Sequence, residues 1–462
     1  MRIFLKAAFP CLLAVAVSLA PPLAAGRALG QEPYMAPLSR EKAAAAGRQV
    51  IKEGEVLSLD RCIEIALVKQ PSIAAARGTV EANQSVVGQA RSNYYPQLNL
   101  NSSYLQLSNR GFSRTTTTVV QTGGSAGSVS EFTSSFQLSQ DIYDFGKTSS
   151  QVRAQEFTAE SSMMDLEDTT VQTVFNVKQA YFGVLKAKRD KAVAEEVVAQ
   201  FEKHLEQAQA LYSVGIKPRF DVISAQVDVS NAKLNLIKAD NAYQIARTGL
   251  NNAMGVPGAP LYDIEDILSF NEYPITLDEA LGKAYANRPD MKSLAARQRA
   301  AEQNVRFAKT GYYPVLTGSA QYGWTGVDTV SDMRDFWNVG ATISFPIFSG
   351  FLTKHEVGQA RANVRVLEAN AETLKQSIYL DVEQAYLTLK NVASQIPAAQ
   401  LVVEQAQENL DIVNGRYTAG LANPIEVTDA EVSLSDAKNA YIQALFDYHV
   451  AQATLELAMG LR

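Results

Sequence analysis

The sequence predicts a mainly α-helical protein that carries a small amount of membrane-type β-structure and is built from one unit written twice. Three observations predict it: ungapped self-matches along the chain, two pairs of strand-like runs with alternating polarity, and two very long helical runs nearly free of proline.

The repetition comes first because it sets the frame. Ser58–Tyr104 aligns with Thr276–Tyr322 at an offset of 218, pairing Leu59 with Leu277, Asp60 with Asp278, Pro71 with Pro289 and Tyr94-Tyr95-Pro96 with Tyr312-Tyr313-Pro314. Farther along the offset is 205: Gln179-Ala180-Tyr181 matches Gln384-Ala385-Tyr386, and Ala253-Met254-Gly255 matches Ala458-Met459-Gly460. The expected organisation is a leader at 1–25, a polar segment at 26–57, a first repeat at 58–275 and a second at 276–462. The leader follows from Arg2 and Lys6 ahead of the apolar run Ala7–Ala20 and the small residues Ala24-Ala25, which together read as an export signal. Cys11 lies in that run, so Cys62 would be the lone cysteine of the mature chain, a buried and inert thiol with no disulfide partner.

The segment between the two offsets supplies the strands. In Glu131–Tyr143, Phe132, Phe136, Leu138 and Ile142 fall on one face, and Thr133, Ser135, Gln137, Ser139 and Asp141 on the other. Asp335–Ile347 repeats the pattern with Trp337, Val339, Ala341, Ile343, Phe345 and Ile347 against Asn338, Gly340, Thr342 and Ser344. Each has a second strand-like run upstream, Pro96–Ser108 and Pro314–Trp324, so the expected strand pairs are 94–143 and 312–347. One apolar and one polar face suits a barrel wall in lipid. Four strands cannot close a barrel and open edges are not tolerated in hydrocarbon, so a membrane role requires oligomerisation. The stretches 109–130 and 326–334 are polar and read as outside loops. No apolar run in the mature chain is long enough for a transmembrane helix.

Downstream of each strand pair comes a long helix, expected at 147–212 and 352–416; the second contains one proline, Pro397. Leu367, Ala371, Leu374, Ile378, Val382 and Ala385 recur at steps of three and four, a narrow apolar stripe for packing on neighbouring helices. Each long helix then runs into the same turn. "ALYSVGIKPRFDVISAQ" (Ala210–Gln226) and "GRYTAGLANPIEVTDAE" (Gly415–Glu431) pair Tyr212 with Tyr417, Gly215 with Gly420 and Asp221 with Glu426. The glycines suit a left-handed C-cap, and Pro218 and Pro424 suit the first positions of a return helix, so both stretches are helical hairpin tips. Asn423 and Glu426 have capping-box spacing. Glu426 and Asp429 also share a helix face, so a structural cap and an acidic ring at an oligomer mouth both remain open for Glu426.

In repeat order, strand-pair placement, the Y-x-x-G tips and the closing Ala-Met-Gly, the chain from about Ser58 to Arg462 resembles the TolC-type outer-membrane efflux proteins. The resemblance implies a homotrimer in which each chain gives four strands to one 12-stranded barrel in the outer membrane of a Gram-negative bacterium and its helices to a long periplasmic α-helical barrel. It further implies a passive duct of a tripartite efflux or type I secretion system, docked through a periplasmic adaptor onto an inner-membrane transporter. Carried over by motif, the periplasmic aperture falls on Glu426, Asp429, Asp221 and Tyr417, and the adaptor-docking tips on Tyr212, Gly215, Tyr417 and Gly420. The family's latch arginine falls on Ala422, a departure; Lys217 and Arg219 are the nearby cations of the first tip.

Other classes fare worse. A net charge of −6 without a basic stripe argues against nucleic-acid binding. His204, His355 and His449 stand apart from acids and cysteines at ligand spacing, so no metal, cofactor or enzymatic activity is expected. The glycine cluster at Gly123-Gly124 lacks the lysine of a phosphate loop. The remaining alternative is a periplasmic coiled-coil structural or adaptor protein without a pore, which would have no lipid-facing strands.

Overall fold

In chain order the elements of the computed structural model are β1 (Val56–Leu57), α1 (Leu59–Lys69), α2 (Pro71–Arg91), β2 (Gln97–Asn109), β3 (Gly127–Tyr143), α3 (Lys147–Ser213), α4 (Arg219–Ala253), β4 (Asp263–Ile264), α5 (Leu277–Asn287), α6 (Pro289–Thr310), β5 (Val315–Val327), β6 (Arg334–Ser344), α7 (Leu352–Thr418) and α8 (Pro424–Ala458). The structure describes residues 51–109, 127–327 and 333–462, and Glu53–Arg462 forms one compact unit. The expected leader, residues 26–50 of the polar segment, the glycine cluster at 123–126 and the central parts of both inter-strand loops lie outside the described residues.

Local signals start the repeats in the same way. The Ser58 hydroxyl accepts from the Arg61 N–H at 3.3 Å and opens α1, while Thr276 and Glu279 cap α5 reciprocally at 3.3 and 3.2 Å. Pro71 and Pro289 occupy the first turns of α2 and α6, where a missing N–H costs nothing. Both long helices are 67 residues, roughly 100 Å at 1.5 Å per residue. Each is entered through a residue pair in the left-handed region, Phe145-Gly146 and Gly350-Phe351, which turns the chain from strand into helix. Along α3, the half nearer the sheet packs on α2 and α6 and the far half on α4; α7 packs on α6 and then α8, and α8 also lies against α3.

The sheet is antiparallel in the order β2-β3-β5-β6. Its register stacks like on like. Leu100, Phe136 and Tyr322 face one side in line with Trp337, and Leu98, Leu138, Ala320 and Val339 form the next row. The opposite side carries Asn101, Gln137, Gln321 and Asn338, joined by hydrogen bonds from Asn101 Nδ2 to Gln137 Oε1 at 3.5 Å and from Asn338 Nδ2 to Gln321 Oε1 at 3.1 Å. A bulge between Asp141 and Tyr143 sets Tyr143, rather than Ile142, opposite Leu316. β2 and β6 leave one edge each without a strand partner among the described residues.

Two short elements were not expected. β1 and β4 pair in parallel across the first repeat, Val56 with Asp263 and Leu57 with Ile264. The hydroxyl of the buried Tyr181 on α3 clamps them, donating within 3.2 Å of the Leu57 carbonyl and 2.8 Å of the Glu265 carbonyl. Cys62 is buried beneath this strap, and desolvation pushes its thiol up to about 12.

Candidate site at the hairpin tips

The two tips share one backbone solution. After α3, Gly215 at φ +78° lets the Ile216 N–H reach back to the Leu211 carbonyl at 2.9 Å; after α7, Gly420 at φ +75° lets the Leu421 N–H reach the Arg416 carbonyl at 2.8 Å. Both are six-to-one closures that satisfy the last helical carbonyls. The exits differ. Pro424 begins α8 after Asn423, which exchanges bonds with Glu426 at 2.9 and 3.2 Å, whereas Pro218 stands one position ahead of α4 as its cap rather than in its first turn.

The side chains diverge further. Tyr212 is 47% exposed, and Val214, Ile216 and Phe220 stand out in solvent beside it. Tyr417, its counterpart by offset, is 1% exposed and packed in a cluster with Leu410, Val413, Ala422, Val427 and Leu434, covered by Leu211 of the other hairpin. Within the single chain the Tyr417 ring, expected at the aperture and the docking tip, is drawn inward against His204 of α3, 4.9 Å between centroids, with the Lys217 ammonium 4.9 Å from its centroid. Its hydroxyl has no hydrogen-bond partner among the described residues, and burial together with the Asp221 charge raises its pKa.

Asp221 is likewise turned inward. It is 5% exposed, with Lys217 Nζ 4.0 Å from Oδ2. Asp221 sits between the two tips of the chain as a neighbour of Tyr417 and Lys217. Burial pulls the His204 imidazole below its ordinary range, against the opposing pull of Asp228 and Asp221.

Glu426 and Asp429 behave differently from each other. One Glu426 oxygen closes the capping box and the other lies 3.5 Å from Arg416 Nη1, while Asp429 is exposed on the next turn of α8. Arg416 escaped the motif reading, which looked for a cation at 422 and found Ala422, now part of the apolar cluster. The signal was present in the sequence: a tight helical turn brings the last turn of one helix beside the first turn of the next, so Arg416 and Glu426 are neighbours despite their separation.

A sheet with one apolar, solvent-exposed face, continued into two long helical hairpins with matching tips, defines a class of chain that supplies part of a membrane wall and a helical extension from it. Residues 62–256 and 280–461 match the family described as "Outer membrane efflux protein", and the chain belongs to that family, which places it at the outer membrane. The chain is 25% identical to the outer membrane protein TolC of Escherichia coli, over 86% of this chain and 80% of that protein. It is 23% identical to the alkaline protease secretion protein AprF of Pseudomonas aeruginosa, over 86% of this chain and 83% of that protein. Its fold matches the crystal structure of the outer membrane protein VceC of Vibrio cholerae with a TM-score of 0.74 at 20% identity, covering 87% of this chain and 96% of that one.

Proposed function

We propose that the chain is one protomer of an outer-membrane duct that passively conducts substrates delivered by a periplasmic adaptor and an inner-membrane transporter of an efflux or type I secretion system. The observation that carries this reading is the sheet. Trp337, Val339 and Ile343 stand on an exposed apolar face, hydrogen-bonded polar side chains cover the other, and both edges end without a strand partner among the described residues. An apolar face of this kind is stable in lipid, and the edges must be closed there by other copies, since an unpaired N–H or C=O in hydrocarbon costs several kcal/mol. Three copies would supply twelve strands. A pore-free periplasmic coiled coil would leave that face in water.

Within this reading the acids nearest the mouth are Asp429 and Glu426, with Arg416 holding Glu426 back, and the exposed docking residues are Tyr212 and its neighbours around Gly215, together with the Gly420 turn. The duct and its assembly are tested together by planar-bilayer conductance of the detergent-extracted protein and the mass of the same preparation. Trimers giving cation-selective steps are expected; a water-soluble protein without conductance would refute the reading.

A further inference from the structure

Behind the tips, polar groups that a passive duct does not require are sealed between the two hairpins of one chain. Glu431 on α8 is 3% exposed, and its Oε2 has no hydrogen-bond partner among the described residues. Asp228 on α4 acts on it with like charge and is tied to α8 by the Thr428 hydroxyl, which donates to Oδ2 at 3.1 Å. His204 on α3, which feels the Asp228 charge, is 3% exposed with Nδ1 unpartnered among the described residues, and Tyr417 on α7, packed against His204, has an unpartnered hydroxyl. The other charges near these groups are Asp221 at the start of α4 and Lys217 in the preceding turn. Three buried polar atoms on neighbouring helices, without partners among the described residues, mean that the packing between the hairpins is not built around fixed hydrogen bonds.

We infer that Glu431 and Asp228 form a proton-binding site between the two hairpins, and that release of the proton loosens the contact between them. A neutral Glu431 can lie in this packing, whereas an ionised one would be a desolvated charge beside a second carboxylate with no cation bonded to either. The proton site stands on the geometry of one chain; its consequence for the mouth rests on the duct reading above.

The direction follows from linkage. Burial and Asp228 raise Glu431 from 4.5 to about 7, so its contribution to hairpin contact is complete below 4.5 and is lost as pH rises through about 7. His204 acts in the opposite sense: its pKa is lowered from 6.5, so it opposes contact increasingly as pH falls through 6.5. Between pH 6.5 and pH 8 Glu431 alone would raise the ratio of separated to packed hairpins about 4-fold by the same linkage relation. His204, still half protonated at 6.5 once released, offsets up to about 2-fold of that, so the net rise should be about 2-fold to 4-fold.

The test uses the full-length protein in lipid. Infrared difference spectra would follow the carbonyl stretch of the protonated carboxyl, with spin labels on Ser213→Cys and Thr418→Cys reporting the distance between tips. A carboxyl band titrating near 7, absent from Glu431→Gln and shifted to lower pH in Asp228→Asn, is expected, with tip separation growing over the same range in wild type and not in Glu431→Gln. A band titrating in the ordinary carboxylate range overturns the site. An Asp228→Asn midpoint equal to wild type overturns the pairing, and a band near 7 with pH-independent distances overturns the coupling. Conductance of the same samples separates these results from the duct reading: absent channels would sink that reading and leave the proton titration standing on its own.

Discussion

Tyr417→Phe separates two roles for the tip tyrosine. A tyrosine that latches the tip through its hydroxyl would loosen when the hydroxyl is removed. The structure argues for the reverse, because the ring is buried against His204 and the Lys217 ammonium while the hydroxyl has no partner among the described residues. An unsatisfied buried polar group costs about 1–3 kcal/mol, and phenylalanine keeps every ring contact while deleting that group. Tyr417→Phe should therefore stabilise the tip by about 1 kcal/mol or more, and Tyr417→Ala should destabilise it by about 3–5 kcal/mol through the cavity it leaves. Global unfolding is a poor reporter for a protein assembled as proposed, so the assay is amide hydrogen exchange over 410–434, with single-channel conductance alongside. A gain of about 1 kcal/mol slows opening-limited exchange about 5-fold, and conductance should not change. Faster exchange or a larger conductance in Tyr417→Phe would refute the argument and show that the hydroxyl is bonded in the working state.

Val339→Arg, at mid-strand on the apolar face, should cost about 2–4 kcal/mol in lipid, whereas Asn338→Arg on the polar face should not; folding yield into vesicles compares them. Gly215→Ala should cost about 1–2 kcal/mol from its left-handed backbone alone, since nothing lies within 4 Å of the added carbon. Gly460→Ala should cost more, because its Cβ would lie 2.8 Å from the Arg288 Cα, and thermal inactivation of the two variants ranks them. Arg416→Ala frees the second Glu426 oxygen and should raise the potassium-to-chloride permeability ratio, while Asp429→Asn should lower it, both read from reversal potentials. Cys62, its thiol pushed up to about 12, should resist maleimide at pH 8 until denaturant is added; labelling of the native protein would show that the region under the strap opens.

The duplicated helices and strand pairs were legible because each is a long periodic pattern, and a period repeated over a dozen residues or more outweighs local exceptions. The β1–β4 strap was not, because two residues carry no period and its partners lie on either side of the whole first repeat. Pro218 was misplaced by one position because a cap and a first helical turn demand nearly the same φ from proline. Arg416 was missed because motif transfer asks what stands at one position, whereas an ion pair asks only which charges the turn brings together.

The deeper gap concerns symmetry. An offset of 205 makes Tyr212 and Tyr417 equivalent as letters, and the two turns close with the same backbone bonds, yet one ring is in solvent and the other in a core. What breaks the equivalence is outside both turns. α3 carries His204 where the same offset on α7 gives Asn409, and the second hairpin lies against α3 through α8, so its tip faces a wall supplied by the first repeat. The first tip has no such wall among the described residues, which leaves Tyr212, Val214 and Ile216 outward. Copying a sequence copies the turn chemistry, but burial belongs to the neighbours, and those two copies do not have the same neighbours. Residues equivalent by repeat can therefore take different tasks, contact with a partner at the first tip and internal packing at the second, without any change in the turn that presents them.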